Sequence, residues 1–223
     1  MHQFYLQISE GFRIGLGQLG KNNRRFIIGG AFWLLVTATG MGWICIHSNT
    51  PGIAVAGPDN WPPGSRISVP ANGPILVMFA HPQCPCTQAT MGELEQLMAD
   101  CQGRLKAQVW FIKPSGTSEN WTKTDLWRAA ARIPGVTVYC DVEGAEARRF
   151  NAGTSGETLL YDQDGHLLFQ GGITMSRGHF GDNPGLSGLE TLVEGKSSVP
   201  IKTPVFGCSL FGSQCRQNKG SNP

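Results

Sequence analysis

Residues 75–86 read Ile75-Leu76-Val77-Met78-Phe79-Ala80-His81-Pro82-Gln83-Cys84-Pro85-Cys86. The first six residues form an unbroken apolar run, which is typical of a strand buried on both faces of a sheet. Apolar residues at helical spacing over residues 86–101 predict a helix directly behind the two cysteines. A dithiol between the end of a strand and the start of a helix occupies the place where open α/β sheets carry their sites. We therefore predict that Cys84 and Cys86 form the functional site.

The following residues supply the other elements of an α/β domain. Strands are expected at 105–112, 136–140, 158–161 and 166–170, and helices at 121–132, 142–150 and 186–193. Asn120 is expected to cap the helix at 121–132, and Pro134-Gly135 to end it. Asp164-Gly165 predicts a hairpin between the last two strands. This order predicts a three-layer α/β sandwich with a mixed central sheet over residues 75–196.

An uncharged apolar segment at residues 26–46 predicts a transmembrane anchor. As a helix it spans ~31 Å, the thickness of a hydrocarbon core. Lys21, Arg24 and Arg25 precede it, so the positive-inside rule keeps residues 1–25 in the cytoplasm and exports the rest. The prediction is a single-pass protein of the cytoplasmic (inner) membrane, in contact with lipid and with an extracytoplasmic C-terminal domain. A signal peptide cleaved after Ala56 is the alternative, and the length of the apolar segment favours the uncleaved anchor.

Composition separates the domain from its flanks. The chain has 223 residues, with 30 glycines, 14 prolines and only 15% charged residues. The net charge is +2, of which residues 1–25 contribute +3, so the remainder carries −1 and no basic face for nucleic acid is expected. Residues 47–74 are rich in proline and predict a semi-rigid spacer between membrane and domain. Residues 197–223 form a tail without periodicity.

The chemistry of the dithiol follows from its position. A helix N-terminus stabilises a thiolate, and Pro85 at the first turn costs no hydrogen bond. We expect Cys84 to be the exposed attacking thiol and Cys86 the resolving thiol. A disulfide across one intervening residue is strained and therefore easily reduced. His81 has three interpretations: it ligates a metal with the two thiolates, it tunes their pKa, or it only packs. Two thiolates and an imidazole suit Cu(I) or zinc.

Residues 75–86 resemble the active-site strand of thioredoxins, in which an apolar strand leads through phenylalanine to Cys-Gly-Pro-Cys at a helix start. Residues 156–165 resemble the substrate-side loop and hairpin of the same superfamily. Four segments look more closely like the small RedB group of thioredoxin-like proteins: residues 81–86, 154–156, 171–174 and 177–179. The resemblance implies thiol-disulfide exchange with the thiols or disulfides of exported proteins, without a cofactor.

Two positions depart from the thioredoxin pattern. Met78 stands where thioredoxins place a buried aspartate that assists proton transfer, and Glu157 stands where they place a cis-proline beside the dithiol. That proline keeps metals away from the cysteines, so its absence favours the alternative function of Cu(I) binding or delivery through Cys84, Cys86 and His81. A peroxiredoxin is a third option, although His81 replaces the threonine that this family places three residues before its nucleophile.

The resemblance also places residues 177–183 beside the dithiol. Arg177 or His179 would stabilise a thiolate there, with Asp182 orienting His179; the interpretation we favour is a loop in which Asp182 or Asn183 caps the last helix. The remaining cysteines are expected to be structural or inert. Cys101 and Cys140 are expected to be small buried hydrophobes, Cys45 to lie in the membrane span, and Cys208 and Cys215 to form a disulfide with each other or with the domain. A second redox pair that relays electrons to Cys84 is the alternative for the last two.

Overall fold

The structure is a computed structural model that describes residues 21–53, 55–70, 73–101, 103–197 and 199–212. The chain forms two compact units, divided between His47 and Ser48. The first unit contains helix α1, Lys21–Ser48, which includes the whole predicted span at 26–46. Residues Asn23–Ser48 are long and apolar enough to cross a membrane, and none of this stretch is buried. The sequence prediction of an apolar helix long enough to span a membrane is confirmed.

The second unit is built around a mixed sheet of six strands. The central strand β1, Ile75–Ala80, lies parallel to β2, Lys106–Lys113, which is in turn parallel to β3, Val136–Val142. On its other side β1 lies antiparallel to β4, Glu157–Tyr161, and β4 pairs antiparallel with β5, Leu167–Gly171. A two-residue strand β6, Ile201–Lys202, extends this edge parallel to β5. The order across the sheet is β3-β2-β1-β4-β5-β6.

Helices and irregular segments cover the two faces of this sheet. One face packs against α2, Thr87–Asp100, α3, Asp125–Arg132, and α5, Pro184–Val193. The opposite face is covered by α4, Ala145–Arg149, together with residues from both flanks of the domain, including Trp61, Ile67 and Leu210. The strand order and the helices on both faces confirm a thioredoxin-like three-layer sandwich.

The helix α3 begins later than the sequence predicts. Glu119–Thr122 is a single 3-10 turn, and α3 starts only after Thr124. The side chain of Thr124 accepts a hydrogen bond from Trp127 N, so Thr124 is the N-cap and the assignment of Asn120 is wrong. The prediction for the last helix is confirmed, because the Asn183 side chain accepts a hydrogen bond from Leu186 N at 2.9 Å.

The proline-rich segment before β1 packs on the domain instead of standing apart as a spacer. Tyr161 Oη donates to Pro58 O at 2.9 Å, and Gln170 Nε2 donates to Val55 O at 2.7 Å. The Trp61 ring meets the rings of Phe150 and Tyr161 edge to face at 5.3 and 5.0 Å between centroids. The described part of residues 48–70 therefore forms a layer over the sheet.

The C-terminal tail also belongs to the domain. After β6, Val205 and Leu210 are buried, and residues 208–210 run beside the loop that precedes β4. Ser155 N donates to Cys208 O at 2.8 Å, and Leu210 N donates to Gly153 O at 2.9 Å. The sequence gives no sign of this pairing because its strands are too short to show periodicity. Cys215 lies outside the described residues.

Candidate dithiol site

The dithiol lies in the turn between β1 and α2. Cys84 N donates to His81 O at 3.1 Å, and Thr87 N donates to Cys84 O at 3.3 Å. Cys86 stands immediately before α2 and already has helical φ and ψ angles of −66° and −30°. Pro85 is exposed at a position where the missing backbone N–H leaves no helical bond unmade. Both cysteines therefore lie at the N-terminus of α2, as the strand and helix patterns predict.

The two thiols differ in exposure, and in the opposite sense to the sequence prediction. Cys84 is only 3% exposed, whereas Cys86 is half-buried. Cys84 is therefore not the exposed thiol that we expected. The reason lies in the tail, because the half-buried Cys208 contacts the Cys84 side chain. No pattern within residues 75–101 reveals that cover.

The pKa of the Cys84 thiol is lowered to about 7. Burial by itself raises this pKa, because a thiolate loses solvation away from water. The side chains and backbone N–H groups of Cys208 and Thr87 donate hydrogen bonds that outweigh burial by stabilising the thiolate. At neutral pH about half of the Cys84 side chains are therefore thiolates, the form that acts as nucleophile or metal ligand.

A chain of donors leads to the Cys84 sulfur. His81 N donates to Ser155 Oγ at 2.8 Å, and Ser155 Oγ lies 2.7 Å from Thr87 Oγ1. The Thr87 hydroxyl has one proton, which it donates to the Cys84 sulfur. In the bond between the two hydroxyls Ser155 is therefore the donor and Thr87 the acceptor. Both hydroxyl residues are buried, and successive donors polarise one another in such surroundings. The loop before β4 thus approaches the dithiol through Ser155.

The tail holds Cys208 beside Cys84 at a fixed place. Cys208 O accepts a hydrogen bond from Ser155 N, while Arg177 Nη1 donates to the carbonyl of Gly207. A Cβ atom on Gly207 would lie 1.9 Å from Ser155 O, so only glycine lets the tail come this close to the loop. The sulfur atoms of Cys84, Cys86 and Cys208 all lie within 4.8 Å of one another.

The other two thiols of this cluster have raised pKa values. Burial, the hydrogen bond to Cys84 and the charges of Cys84 and Cys86 raise the pKa of Cys208 to about 12. Burial and the charge of Cys84 also raise the pKa of Cys86, although a hydrogen bond from Arg177 and its charge oppose them. Cys84 is thus the thiolate at neutral pH, and Cys208 is a protonated donor to it.

The two histidines named by the sequence lie outside the sulfur cluster. Burial lowers the pKa of His81, whose Nδ1 accepts a hydrogen bond from Gln83 N at 3.2 Å. The His81 ring meets Trp121 edge to face at 5.4 Å. His179 is exposed. Of the residues at 177–179, Arg177 is the one placed beside a site thiol.

Glu157 lies in the domain interior and not beside the dithiol. It lies opposite Phe79 in the pairing of β1 with β4. Opposite residues share a face of the sheet, so the Glu157 side chain lies on the face that residues 55–57 cover. Its carboxylate accepts hydrogen bonds from Gly153 N and Gln170 Nε2, both at 2.9 Å. Burial raises the pKa of Glu157, against the effect of these donors. The hydrogen bonds of the Glu157 carboxylate thus go to the loop before β4 and to β5.

The remaining cysteines lie apart from this cluster. Cys101 is buried in the core, Cys140 is half-buried on β3, and Cys45 is exposed on α1. Sequence reasoning missed Thr87 and Ser155, and it named Cys208 only as part of an alternative redox pair with Cys215. The sequence offers one signal for Cys208: it lies among the apolar residues of the tail at 205–211. Such a run is more typical of a packed segment than of a solvated one.

Comparison with known proteins supports the fold. No family model matches the chain, and no curated protein matches it. A hypothetical protein from Sinorhizobium meliloti 1021 aligns with a TM-score of 0.53 and 18% identity over 72% of this chain and 93% of that one. An uncharacterized conserved protein from Geobacillus kaustophilus aligns with a TM-score of 0.54 and 16% identity over 74% of this chain and 95% of that one. At such identities the likeness shows the fold alone.

A third solved structure is a secreted Mycobacterium tuberculosis disulfide oxidoreductase homologous to E. coli DsbE. It aligns with a TM-score of 0.38 and 17% identity, over 55% of this chain and 81% of that one. This likeness is too distant to bear on fold or function.

Proposed function

We propose that this chain is a membrane-anchored, extracytoplasmic thioredoxin-like protein of the RedB type that exchanges thiols and disulfides with exported proteins through Cys84 and Cys86. The observation that carries the proposal is the set of donors around one sulfur at a helix start: the side chains and backbone N–H groups of Cys208 and Thr87 donate hydrogen bonds to Cys84 and lower its pKa to about 7. A thiol with a pKa near ambient pH combines a useful thiolate fraction with good nucleophilicity. The anchor is α1, and its basic flank supports export of the domain.

The reaction needs only the cysteines of this chain and a client disulfide. The Cys84 thiolate attacks one client sulfur, which forms a mixed disulfide and releases the other client sulfur as a thiolate. A second cysteine of the site, Cys86 on the sequence argument, then attacks the Cys84 sulfur and releases the client. Two electrons pass to the client, and two cysteines of the site become a disulfide. The reverse sequence oxidises a client dithiol.

The first prediction tests Cys84 as the nucleophile. The full-length chain, reduced in detergent micelles, should reduce a self-quenched fluorescent glutathione disulfide in a single turnover. Cys84→Ser should lower the rate to the uncatalysed background, because serine is not ionised at this pH. Cys140→Ser is the matched control, since it removes another half-buried thiol away from the cluster, and should keep the wild-type rate. A wild-type rate in Cys84→Ser would refute the proposal.

Cu(I) binding is the second candidate, favoured by three sulfur atoms within 4.8 Å of one another. Thiolates select Cu(I), and a three-sulfur set needs no imidazole. The second prediction is that the full chain takes Cu(I) from a chromophoric chelator, that Cys84→Ser loses most of this affinity, and that His81→Ala keeps it. Equal affinities in wild type and Cys84→Ser would exclude the site, and a loss in His81→Ala would restore the ligand set of the sequence prediction.

A further inference from the structure

We propose that Cys208 is the redox partner of Cys84, so that the oxidised site contains a Cys84–Cys208 disulfide between the start of α2 and the C-terminal tail. This inference rests on the proposed function, because it assigns the second thiol of the exchange reaction. It replaces Cys86 in that role. It also gives the tail a part in the chemistry.

The position of Cys208 is built by the fold. Backbone hydrogen bonds join residues 208 and 210 to Ser155 and Gly153 at 2.8 and 2.9 Å. Val205 and Leu210 anchor the segment on either side of Cys208, at 2% and 3% exposure. A tail fixed on both sides of a cysteine holds that thiol at the site in every molecule, as a resolving thiol requires.

The direction of approach favours Cys208 over Cys86. The Cys86 sulfur also lies within 4.8 Å of the Cys84 sulfur, and the two side chains are hydrogen-bonded. The two cysteines are only two residues apart, however, and Cys86 already has helical dihedral angles. A disulfide needs Cβ atoms about 3.5–4.5 Å apart with converging directions, so a Cys84–Cys86 bond strains the first turn of α2. Cys208 comes from a separate segment and already donates both its S–H and its N–H to the Cys84 sulfur.

The charges at the site give an order to the two steps. In the reduced protein the thiolate of Cys84 and its hydrogen bond keep the Cys208 thiol protonated, since both raise its pKa. In a mixed disulfide the Cys84 sulfur has no charge, so both influences vanish and Cys208 ionises more readily. Arg177, whose charge lowers the pKa of Cys208, remains nearby. Backbone hydrogen bonds of the tail keep Cys208 beside the Cys84 sulfur when a client is attached.

The resolving step is balanced within the site. The Cys208 thiol gives its proton to solvent, and its thiolate attacks the Cys84 sulfur of the mixed disulfide. The Cys84–Cys208 bond forms, the Cys84–client bond breaks, and the client leaves as a thiolate that takes a proton. In this step Cys208 is oxidised by one electron and the departing client sulfur is reduced by one, so over both steps the two cysteines lose one electron each and the client receives two.

The third prediction is tested on the full-length chain in detergent micelles. The reduced protein is treated with one equivalent of oxidised glutathione, alkylated, digested with trypsin without reductant and analysed by mass spectrometry. Trypsin places Cys84 and Cys86 in residues 67–104 and Cys208 in residues 203–216. We expect these two peptides to be joined, with fragmentation that assigns the bond to Cys84 and Cys208.

Two substitutions identify the resolving thiol kinetically. Cys208→Ser should prolong the glutathione mixed disulfide on Cys84 about tenfold or more, because no second thiol is aligned to displace it. Cys86→Ser should resolve at the wild-type rate and form the same cross-link. Cys215→Ser should also form it, which shows that the bond does not use the second tail cysteine.

The outcomes separate this inference from the function on which it rests. A bond between Cys84 and Cys86 with Cys208 alkylated, or trapping in Cys86→Ser alone, would overturn the role of Cys208 and leave thiol-disulfide exchange in place. A bond between Cys208 and Cys215 would overturn it as well. No mixed disulfide on Cys84 in any variant would overturn the inference and the proposed function together. The wild-type cross-link decides the matter even where a variant fails to fold.

Discussion

At the scale of single residues, the acidity of Cys84 depends on groups that are distant from it in the chain. Thr87 is its neighbour in the first turn of α2, but Ser155 and Cys208 come from the loop before β4 and from the tail. Hydrogen bonds to the charged form of a thiol lower its pKa, and here they outweigh burial. A sequence motif at residues 84–86 describes the sulfur atoms but not the donors that control them.

The fourth prediction concerns the donor chain through Thr87. Thr87→Val removes the hydroxyl that donates to the Cys84 sulfur and keeps the shape of the buried side chain. The midpoint of Cys84 alkylation by iodoacetamide, expected near pH 7 in the wild type, should move to higher pH. Below that midpoint the rate should fall roughly threefold or more, because each pKa unit changes the thiolate fraction tenfold. Mass spectrometry of the reduced, alkylated chain measures it.

Glu157→Gln provides the matched control for this experiment. Its side chain is also buried, but it bonds to Gly153 and Gln170 and not to the dithiol. The alkylation midpoint of Cys84 should therefore stay where it is in the wild type, whatever the variant does to stability. A midpoint that falls in Glu157→Gln would mean that the carboxylate acts on Cys84 after all, and an unchanged midpoint in Thr87→Val would remove the donor chain.

At the scale of helices and strands, local patterns in the sequence predict what depends on local physics. The apolar run of β1, the helix behind the cysteines and the Asp164-Gly165 hairpin are all found where the sequence places them. Each of these elements is long enough to show a hydrophobic periodicity or contains residues that are typical of a turn. The start of α3 after Thr124 was missed because asparagine and threonine are both common N-cap residues. Contacts made in the folded domain, and not the local sequence, determine that Thr124 is the cap.

The two flanking segments were misjudged because composition is a poor guide to packing. Prolines in residues 47–74 predict a semi-rigid spacer, yet Trp61 and Ile67 pack on the sheet face that α4 leaves uncovered. The tail has no periodicity, yet its hydrogen bonds to residues 153–155 position Cys208. Both segments are held by contacts with residues roughly 50–110 positions away in the sequence, and a local pattern carries no record of such contacts.

At the candidate site, too, the sequence predicts the residues that are close together in the chain but not those that the fold brings together. Cys84, Cys86 and the helix start are contiguous, so the sequence predicts them together. Glu157 was assigned to the dithiol by resemblance to a loop, whereas its pairing with Phe79 turns the side chain to the other face of the sheet. Ser155 lies in the loop before β4, and its hydroxyl is 2.7 Å from Thr87 Oγ1, so this loop approaches the cysteines through Ser155.

At the scale of the whole molecule, the remaining question is on which side of a membrane the dithiol works. Disulfides persist in oxidising compartments and are rare in the cytoplasm, so the proposed exchange with exported proteins places the dithiol outside the cytoplasm. The helix α1 carries Lys21, Arg24 and Arg25 at its N-terminal end, before its apolar stretch, and by the positive-inside rule such an arrangement favours retention of the N-terminal side in the cytoplasm. Cleavage after Ala56 is the alternative, and it would remove Val55 and Ala56 from the domain. Val55 O and Ala56 O accept hydrogen bonds from Gln170 and Asn151, so this peptide bond lies in a segment packed on the domain.

The fifth prediction follows from that arrangement. Alkaline phosphatase, which is active only after export, is fused after Pro223. The fusion should be active and should sediment with membranes at its full, uncleaved size, because α1 stays attached. Replacing Lys21, Arg24 and Arg25 by glutamate should reduce the exported fraction severalfold, since the positive flank sets the orientation. Replacing Arg148 and Arg149, which flank no apolar segment, by glutamine should leave export unchanged. An active fusion of reduced size in the soluble fraction would establish cleavage. An inactive fusion would place the dithiol in the cytoplasm, where it could not exchange disulfides with exported proteins.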